Sequence, residues 1–403
     1  MNWLVPVALV MVLVGASVGL GMATAETGSA TAVTAPVDDS SEPISVNESA
    51  NRLPLAEPVT ADQAHAGPDL GATLAGTDDA IRADQVLYAS LGPDYDQANL
   101  TERSQLLDAA YTAFGQELDA LTSAETDAFT DHASGEIGSS EFLSQYQRTT
   151  VTASYLDTLL DGIADRSDGL VDSPVTSNDL DHDRSVIEMY TTQIGTFLDP
   201  TATSLVSSDT HGVHVQTTDE GYSLSLIEDD TWYLETVRTD HRDVAAETQF
   251  DGITDAFEYA GELYPWTSDQ RDRQGITERG GLGLYDISMP HGHGSLNAFL
   301  DGGTGEIYRE YHELSLPALE VEESYTETGE GLTLTVNETS AAGPLEVTVT
   351  DESGDPIEAE LTTETTVGET DAGGTTWILP QSPDTTLEAT TDDGDTVSVQ
   401  LSP

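Results

Sequence analysis

Apolar residues recur at three- and four-residue intervals through Leu107, Tyr111, Phe114, Leu118 and Leu121, which puts them on one face of a helix. Phe142, Tyr146, Thr149, Ala153, Leu156, Leu160 and Ile163 repeat the rhythm. Residues 132–139 (HASGEIGS) lie between the two runs and read as a turn, with Gly135 as the helix C-cap. Two amphipathic runs joined by a short loop predict an antiparallel helical hairpin. Its aromatic stripe is expected to be core and not a cofactor box. A third helical run, 184–198, carries Val186, Ile187, Tyr190, Ile194 and Phe197 and stops before Pro200, with Asp183 expected as its N-cap.

The period then changes. Residues 213–217, 222–226 and 232–237 read as strands of a meander, with polar turns at 219–221 and 228–230. A helix with Phe250, Ile253, Phe257, Ala260 and Leu263 on one face ends at Tyr264-Pro265-Trp266, and strands resume at 282–289, 295–300 and 306–316. Beyond residue 319, short strands at 332–336, 345–349, 376–379 and 397–401 are separated by Gly/Asp/Pro clusters, the pattern of a small β-sandwich. The start of the chain differs from all of this. Residues 1–25 (MNWLVPVALVMVLVGASVGLGMATA) carry no charged side chain, have an apolar centre at 4–14 and end in a small-x-small Ala23-Thr24-Ala25. They predict a signal peptide or, uncleaved, a membrane-spanning anchor. The GxSxG match at 15–19 lies inside this apolar run and not at a strand–helix elbow. Residues 26–80, rich in Ala, Thr, Ser, Pro and Asp, predict a disordered stalk. The expected fold class is α+β: leader 1–25, stalk 26–80, helical domain 81–200, an antiparallel α+β unit 201–318 and an immunoglobulin-like sandwich 319–403.

Charge sharpens this picture. Seventy-four acids face twelve basic residues, all arginine, giving a net charge of -62 over 403 residues. Such a charge destabilises a compact chain by self-repulsion, which molar salt screens by shortening the Debye length to about 3 Å. An acid surplus spread along the whole length therefore marks a salt-adapted protein. No basic patch exists to displace counterions, which excludes nucleic acid as a partner and disfavours anionic lipid surfaces. Cysteine is absent, removing disulfides, thiolate catalysis, lipid anchoring and Cys-type metal sites.

Candidate chemistry is sparse. LDGGTGEIYRE (300–310) has the glycines of a phosphate loop, but Glu306 follows the last one and an alternating strand follows Glu306. A β-hairpin turn, with glycines where φ is positive, fits better. His291 and His293, two positions apart, could hold a metal together with His312 or a carboxylate, but two histidines are half a site and a polar turn between strands is the default reading; His211 and His214 offer less. Asp179, Asp181 and Asp183 imitate the start of an EF-hand loop, but Arg184 and Tyr190 stand where Gly and Glu are needed. No HExxH or Ser-His-Asp set is identifiable, and neither catalytic residues nor a cofactor are expected. Asn47, Asn99 and Asn337 each begin an N-x-[ST] acceptor pattern for N-glycans.

Residues 250–312 resemble the PepSY module, with a helix followed by strands and a D-x-x-T-G-E-[IV] turn at Asp301–Ile307. Over roughly 100–315 the chain is similar to a group of uncharacterised haloarchaeal exported proteins, on the strength of SGEI (134–137), ELYPW (262–266) and PHG (290–292) ahead of that turn. The last domain looks like the immunoglobulin-like or carboxypeptidase-regulatory-like modules appended to surface proteins. These resemblances imply a non-enzymatic cell-surface or secreted protein with a protein or peptide partner, held to the membrane by its first helix if uncleaved. They leave two alternatives: a PepSY-type modulator of an exported peptidase, and an envelope hydrolase using carboxylates or a His-bound metal. The charge balance makes its own prediction. Dialysis from molar to millimolar salt should abolish the far-UV circular dichroism of the folded protein, and an unchanged spectrum would refute salt adaptation.

Overall fold

A computed structural model describes residues 42–66, 81, 85, 91–198, 211–270, 274–279, 281–340, 343–363, 365–381 and 385–401. The apolar leader 1–25 and the stretches 26–41 and 67–80 lie outside them. The part of the expected stalk that is described is no stalk. Ile44 bridges Arg52, Val46, Ala50 and Leu53 are buried, and strand β1 (Thr60–Ala66) joins a sheet. Its sequence, TADQAHA, has little apolar bulk, so composition reads as disorder. Ala64 and Ala66 nevertheless alternate into the core, and the backbone pairs along its whole length with residues 211–217. Backbone pairing to an open sheet edge supplies what side chains do not.

Helix α1 (Pro93–Gln97) precedes α2 (Leu100–Ser134), which opens on a capping box between Asn99 and Glu102. Gly135, left-handed at φ 78°, ends it, and α3 (Ser139–Ser167) returns antiparallel to it. The third helical run divides in two. Helix α4 (Ser177–Glu188) begins well before residue 184, capped by Thr176, and α5 (Gln193–Leu198) follows a break. The break has a physical cause: the Met189 carbonyl accepts from Arg309 (3.2 Å) and the Tyr311 hydroxyl (3.0 Å), while Thr192 Oγ1 caps Gly195. Asp183 is consequently not an N-cap but lies inside α4.

Strands β2 (His211–Thr218), β3 (Gly221–Glu228) and β4 (Thr231–Arg238) form the expected meander. After α6 (Ile253–Leu263) and α7 (Pro265–Gln270) come β5 (Gly275–Arg279), β6 (Leu284–His291), β7 (Gly294–Asp301) and β8 (Ile307–Ser315). β8 returns to pair with β4, fusing two meanders into one antiparallel sheet of order β1-β2-β3-β4-β8-β7-β6-β5. Alternation along the strands covers both faces. On one face Phe129, Phe142 and Tyr146 of the hairpin pack on Val213, Val215, Tyr222 and Val237. On the other, Ala256, Ala260 and Leu263 of α6, with Ala50 and Leu53, pack on Ile287, Leu296, Ala298 and Leu300. The helical residues and the sheet thus share a core, where two separate domains, 81–200 and 201–318, were expected. The reason lies at the loop end of the hairpin: Leu107–Leu121 pack mainly against α3 and α4, but the stripe continues through Ala128 and Phe129, which face the sheet.

The turn after β7 is the expected hairpin turn, with a different demand on its glycines. Only Gly305 has a positive φ (77°); a Cβ on Gly302 or Gly303 would instead lie 2.7 Å from Thr248 Oγ1 or 2.6 Å from Ala246 Cβ. Asp301 organises the turn, its Oδ1 accepting from the Gly303 and Thr304 amides (2.9 Å each) and its Oδ2 from Arg242 (2.6 Å). β9 (Val321–Gly329), β10 (Leu332–Thr339), β11 (Leu345–Asp351), β12 (Glu360–Thr362), β13 (Thr366–Glu369), β14 (Thr375–Ile378), β15 (Thr386–Thr390) and β16 (Thr396–Gln400) then build two four-stranded sheets, β14-β11-β10-β9 and β13-β12-β15-β16. Leu334, Val336, Val347 and Val349 of one face Leu361, Leu387, Ala389 and Val399 of the other in a single sandwich core.

Between hairpin and sheet lies a dry polar cluster. Arg309, 1% exposed, donates to both carboxylate oxygens of Glu125 (2.9 and 2.7 Å). The Tyr222 hydroxyl lies 3.1 Å from Glu125 and 2.8 Å from Glu235, whose other oxygen accepts from Tyr146 (2.8 Å). Burial opposes the Arg309 charge, but Glu125 and the tyrosines outweigh it and hold the proton more firmly than usual. Burial likewise raises the Glu235 pKa, against the two tyrosine hydroxyls that stabilise its charge. Glu125→Gln would strand the arginine charge, and we expect a loss of about 3–5 kcal/mol in urea unfolding at constant molar salt. The double change Glu125→Met with Arg309→Met should recover most of it.

Candidate functional site: the polar face beneath residues 49–54

Strand β8 presents alternate side chains to opposite faces. Arg309 and Tyr311 point to the helical hairpin; Glu310 and His312 point the other way, beneath residues 49–54. Glu310 is fully buried, and its Oε1 accepts the Leu53 amide (2.6 Å) while Oε2 accepts the Tyr264 hydroxyl (2.7 Å). His312 Nε2 lies 3.0 Å from the same Oε1. Burial, with Glu310 close by, pushes the Tyr264 hydroxyl well above its usual range. Arg52 stacks over Trp232, its guanidinium carbon 4.6 Å from the ring centroid, and Nη1 donates to the Ser340 carbonyl of the sandwich (2.9 Å). Burial lowers its pKa to about 10, against the pull of Glu310 and Glu322. Asn51 Nδ2 bonds the Leu263 carbonyl (2.7 Å) and Arg238 Nη1 the Pro54 carbonyl (2.8 Å). The segment is therefore held on its two sides by backbone and side-chain contacts to three elements.

His291 ends β6 and His293 sits in the two-residue turn before β7, so they do not occupy one strand face as a metal pair. Both rings pack against Trp266, at 5.2 and 5.0 Å between centroids, and His291 Nδ1 accepts the His293 amide (3.3 Å). His312 is drawn to Glu310 instead. Among the described residues no group of three or more His, Asp or Glu is placed to hold a metal. The aspartates of the EF-hand-like stretch fall on α4, where Asp181 points about 200° away from Asp179 and Asp183, so the three cannot converge on one cation. Asp179 completes the capping box with Thr176, whose hydroxyl and amide hold its pKa down. Asp181 is exposed, and Asp183 accepts the Tyr111 hydroxyl (2.7 Å) while burial raises its own pKa. Of the three acceptor asparagines, Asn47 lies in a turn, Asn99 caps α2 and Asn337 lies within β10.

Arg52 and Trp232 lie outside every motif quoted from the sequence, while Tyr264 and Glu310 lie inside ELYPW (262–266) and LDGGTGEIYRE (300–310) without having been read as site residues. One signal was present: an arginine inside a Thr/Ala/Pro-rich stretch of a chain with so few cations. The arrangement neutralises buried charge and fixes a chain segment; it brings no nucleophile to a base.

Sequence profiles match nearly the whole length in three parts. A domain of unknown function (DUF7096) matches residues 1–209, a family of unknown function (DUF7094) residues 213–320, and an archaeal fibronectin-III type-like domain residues 323–399. No curated protein and no solved structure matches the chain. The first profile covers more than half of the residues, and the chain belongs to the DUF7096 family. The expected immunoglobulin-like sandwich corresponds to the fibronectin-III-like match.

The histidines give a pH prediction. Burial, reinforced by His312 and His293, lowers the His291 pKa to about 4, and burial alone lowers that of His214 to about 4. Both fold neutral, whereas in the unfolded chain they titrate near 6.5. Their contribution is complete above pH 6.5 and is lost as pH falls toward 4. Thermal midpoints followed from pH 8 to pH 4 at fixed molar salt should fall less steeply for His291→Gln and His214→Gln than for the unaltered protein; equal slopes would show that neither folds neutral.

Proposed function

We propose that this DUF7096 member is a non-enzymatic envelope protein of a salt-adapted archaeon, tethered or secreted, that binds a protein or peptide partner. The observation that carries the reading is the fibronectin-III-like domain and the way it is fastened to the mixed α/β part. Arg52 reaches the Ser340 carbonyl, Asn47 Nδ2 reaches Glu320 (2.6 Å), and Gln63 Nε2 reaches the Pro380 carbonyl (2.6 Å). A display module fixed at two points, Ser340 and Pro380, with the Asn47–Glu320 bond just ahead of it, presents its surface in a defined direction, which suits recognition. Export is supported by the charge-free residues 1–25, which alone supply an anchor in this reading; among the described residues no helix is long and apolar enough to cross a membrane. The acidic surface supports the salt-adapted setting and argues against nucleic acid.

One observation favours a second reading, modulation of an exported peptidase through a PepSY-like unit. Helix α6 is followed by the antiparallel β5–β8, and the Asp301–Ile307 turn closes β7 onto β8. Purification from native envelopes in molar salt, with cross-linking, separates the readings. We expect the protein in the envelope or medium with a protein partner attached. A peptidase partner whose rate changes on addition of the pure protein favours the second reading. Peptide or glycan hydrolysis by the pure protein, abolished by a chelator or not, would overturn the non-enzymatic assignment.

A further inference from the structure

We propose that Asn99 is the N-glycan attachment site of this chain and that Asn47 and Asn337 remain unmodified. The inference rests on the export reading above, because glycan transfer requires the chain to reach a compartment holding a lipid-phosphate-linked sugar. The three sequons look alike in sequence, and the fold separates them. Asn47 Nδ2 is engaged by Glu320 (2.6 Å), and the Ser49 hydroxyl that its sequon needs is 5% exposed. Asn337 has both ends of its amide occupied, Nδ2 donating to Glu346 (2.9 Å) and Oδ1 accepting from Ser324 (2.8 Å). Its Thr339 is 3% exposed and donates to the Pro344 carbonyl (2.8 Å).

Asn99 differs on each count. Asn99 and Thr101 are exposed, and Leu100 between them is 67% exposed. As N-cap, Asn99 turns its Oδ1 toward the Thr101 and Glu102 amides (3.0 and 3.1 Å). Since the capping atom must be the acceptor, the Nδ2 group takes no part in the cap and has no partner among the described residues. The acceptor nitrogen and the cap therefore use opposite ends of one amide, and glycosylation leaves the cap intact. A shallow surface groove of about 400 Å³, lined by Asp94, Gln97, Ala98, Glu102, Gln105 and Leu106, lies next to it in the chain, so no packed element covers this side of the sequon.

In the transfer, Nδ2 attacks the anomeric carbon of the lipid-linked sugar. The N–C bond forms, the C–O bond to the lipid phosphate breaks with its electrons leaving on the phosphate, and the amide proton passes to a base of the transferring enzyme.

The test is glycopeptide mapping of the full chain recovered from envelope and medium of its native cell, beside two variants. Asp serves as N-cap as well as Asn, so Asn99→Asp removes the acceptor and keeps the fold, and Thr101→Ala removes the sequon and keeps the cap oxygen. We expect a glycan mass increment on the Asn99 peptide alone, lost in both variants with thermal midpoints unchanged within the spread of the measurement. Exported protein bare at Asn99, or modified at Asn47 or Asn337 in its place, overturns the site assignment and leaves export standing. Bare protein confined to the cytoplasm overturns both.

Discussion

The ion pair between Arg309 and Glu125 is the contact on which the layered fold depends. It joins the middle of the sheet to the loop-end third of α2, at a site with almost no solvent. Surface repulsion in a chain of charge -62 is a long-range effect that dissolved ions can screen; a pair buried this deeply lies beyond their reach. The two demands are thus separated in space. Salt relieves the acidic exterior, and one arginine neutralises the acid that the hairpin brings inside. Tyr222 and Tyr146 extend the pair to Glu235, so the cluster spans α2, α3, β3, β4 and β8. Its cost falls on the third helical run, whose Met189 carbonyl is taken by Arg309 and Tyr311 and which breaks there.

The same strand organises the opposite face. Because β8 lies between β4 and β7 in the centre of the sheet, its alternation delivers Arg309 and Tyr311 upward and Glu310 and His312 downward. An acid faces down where a cation faces up. Glu310 collects the Leu53 amide and the Tyr264 hydroxyl, and Arg52 then runs from Trp232 to the sandwich. Residues 49–54 become a strap between the mixed sheet and the fibronectin-III-like domain, which gives that domain a fixed base.

Local pattern was legible wherever neighbouring residues decide the structure. Leu107–Leu121 and Phe142–Ile163 declared a hairpin, Gly135 its turn, and Asp301–Ile307 a strand-to-strand connection. What was hidden depends on partners far away in the chain. β1 looks disordered because its stability comes from the edge of β2, about 150 residues on. The break at 189–192 is set by Arg309 and Tyr311, and no feature of that stretch announces it. His291 and His293 looked like half a metal site; instead both rings pack against Trp266, whose proximity follows from the packing of α7 against β6. The glycines of the 302–305 turn were correctly placed in a turn, but two of the three are required by crowding from Ala246 and Thr248 and not by their own backbone angles.

The exclusive use of arginine follows from the same constraint. A protein with so few cations gains most when each reaches two acceptors at once, and a planar fork with five donors does so where an ammonium on a flexible stem acts as a point charge. Arg309 joins Glu125 to the Met189 carbonyl, Arg242 joins Asp301 to the Leu282 carbonyl, and Arg238 joins Asp240 to the Pro54 carbonyl. Arg103 and Arg166 each bind two carbonyls in the helical part. Most of these bonds cross between elements, and carbonyl partners stay available whatever the carboxylates' charge. Replacing such an arginine by lysine would keep the net charge and lose the second tether, so the fold selects the geometry of the guanidinium and not merely its sign.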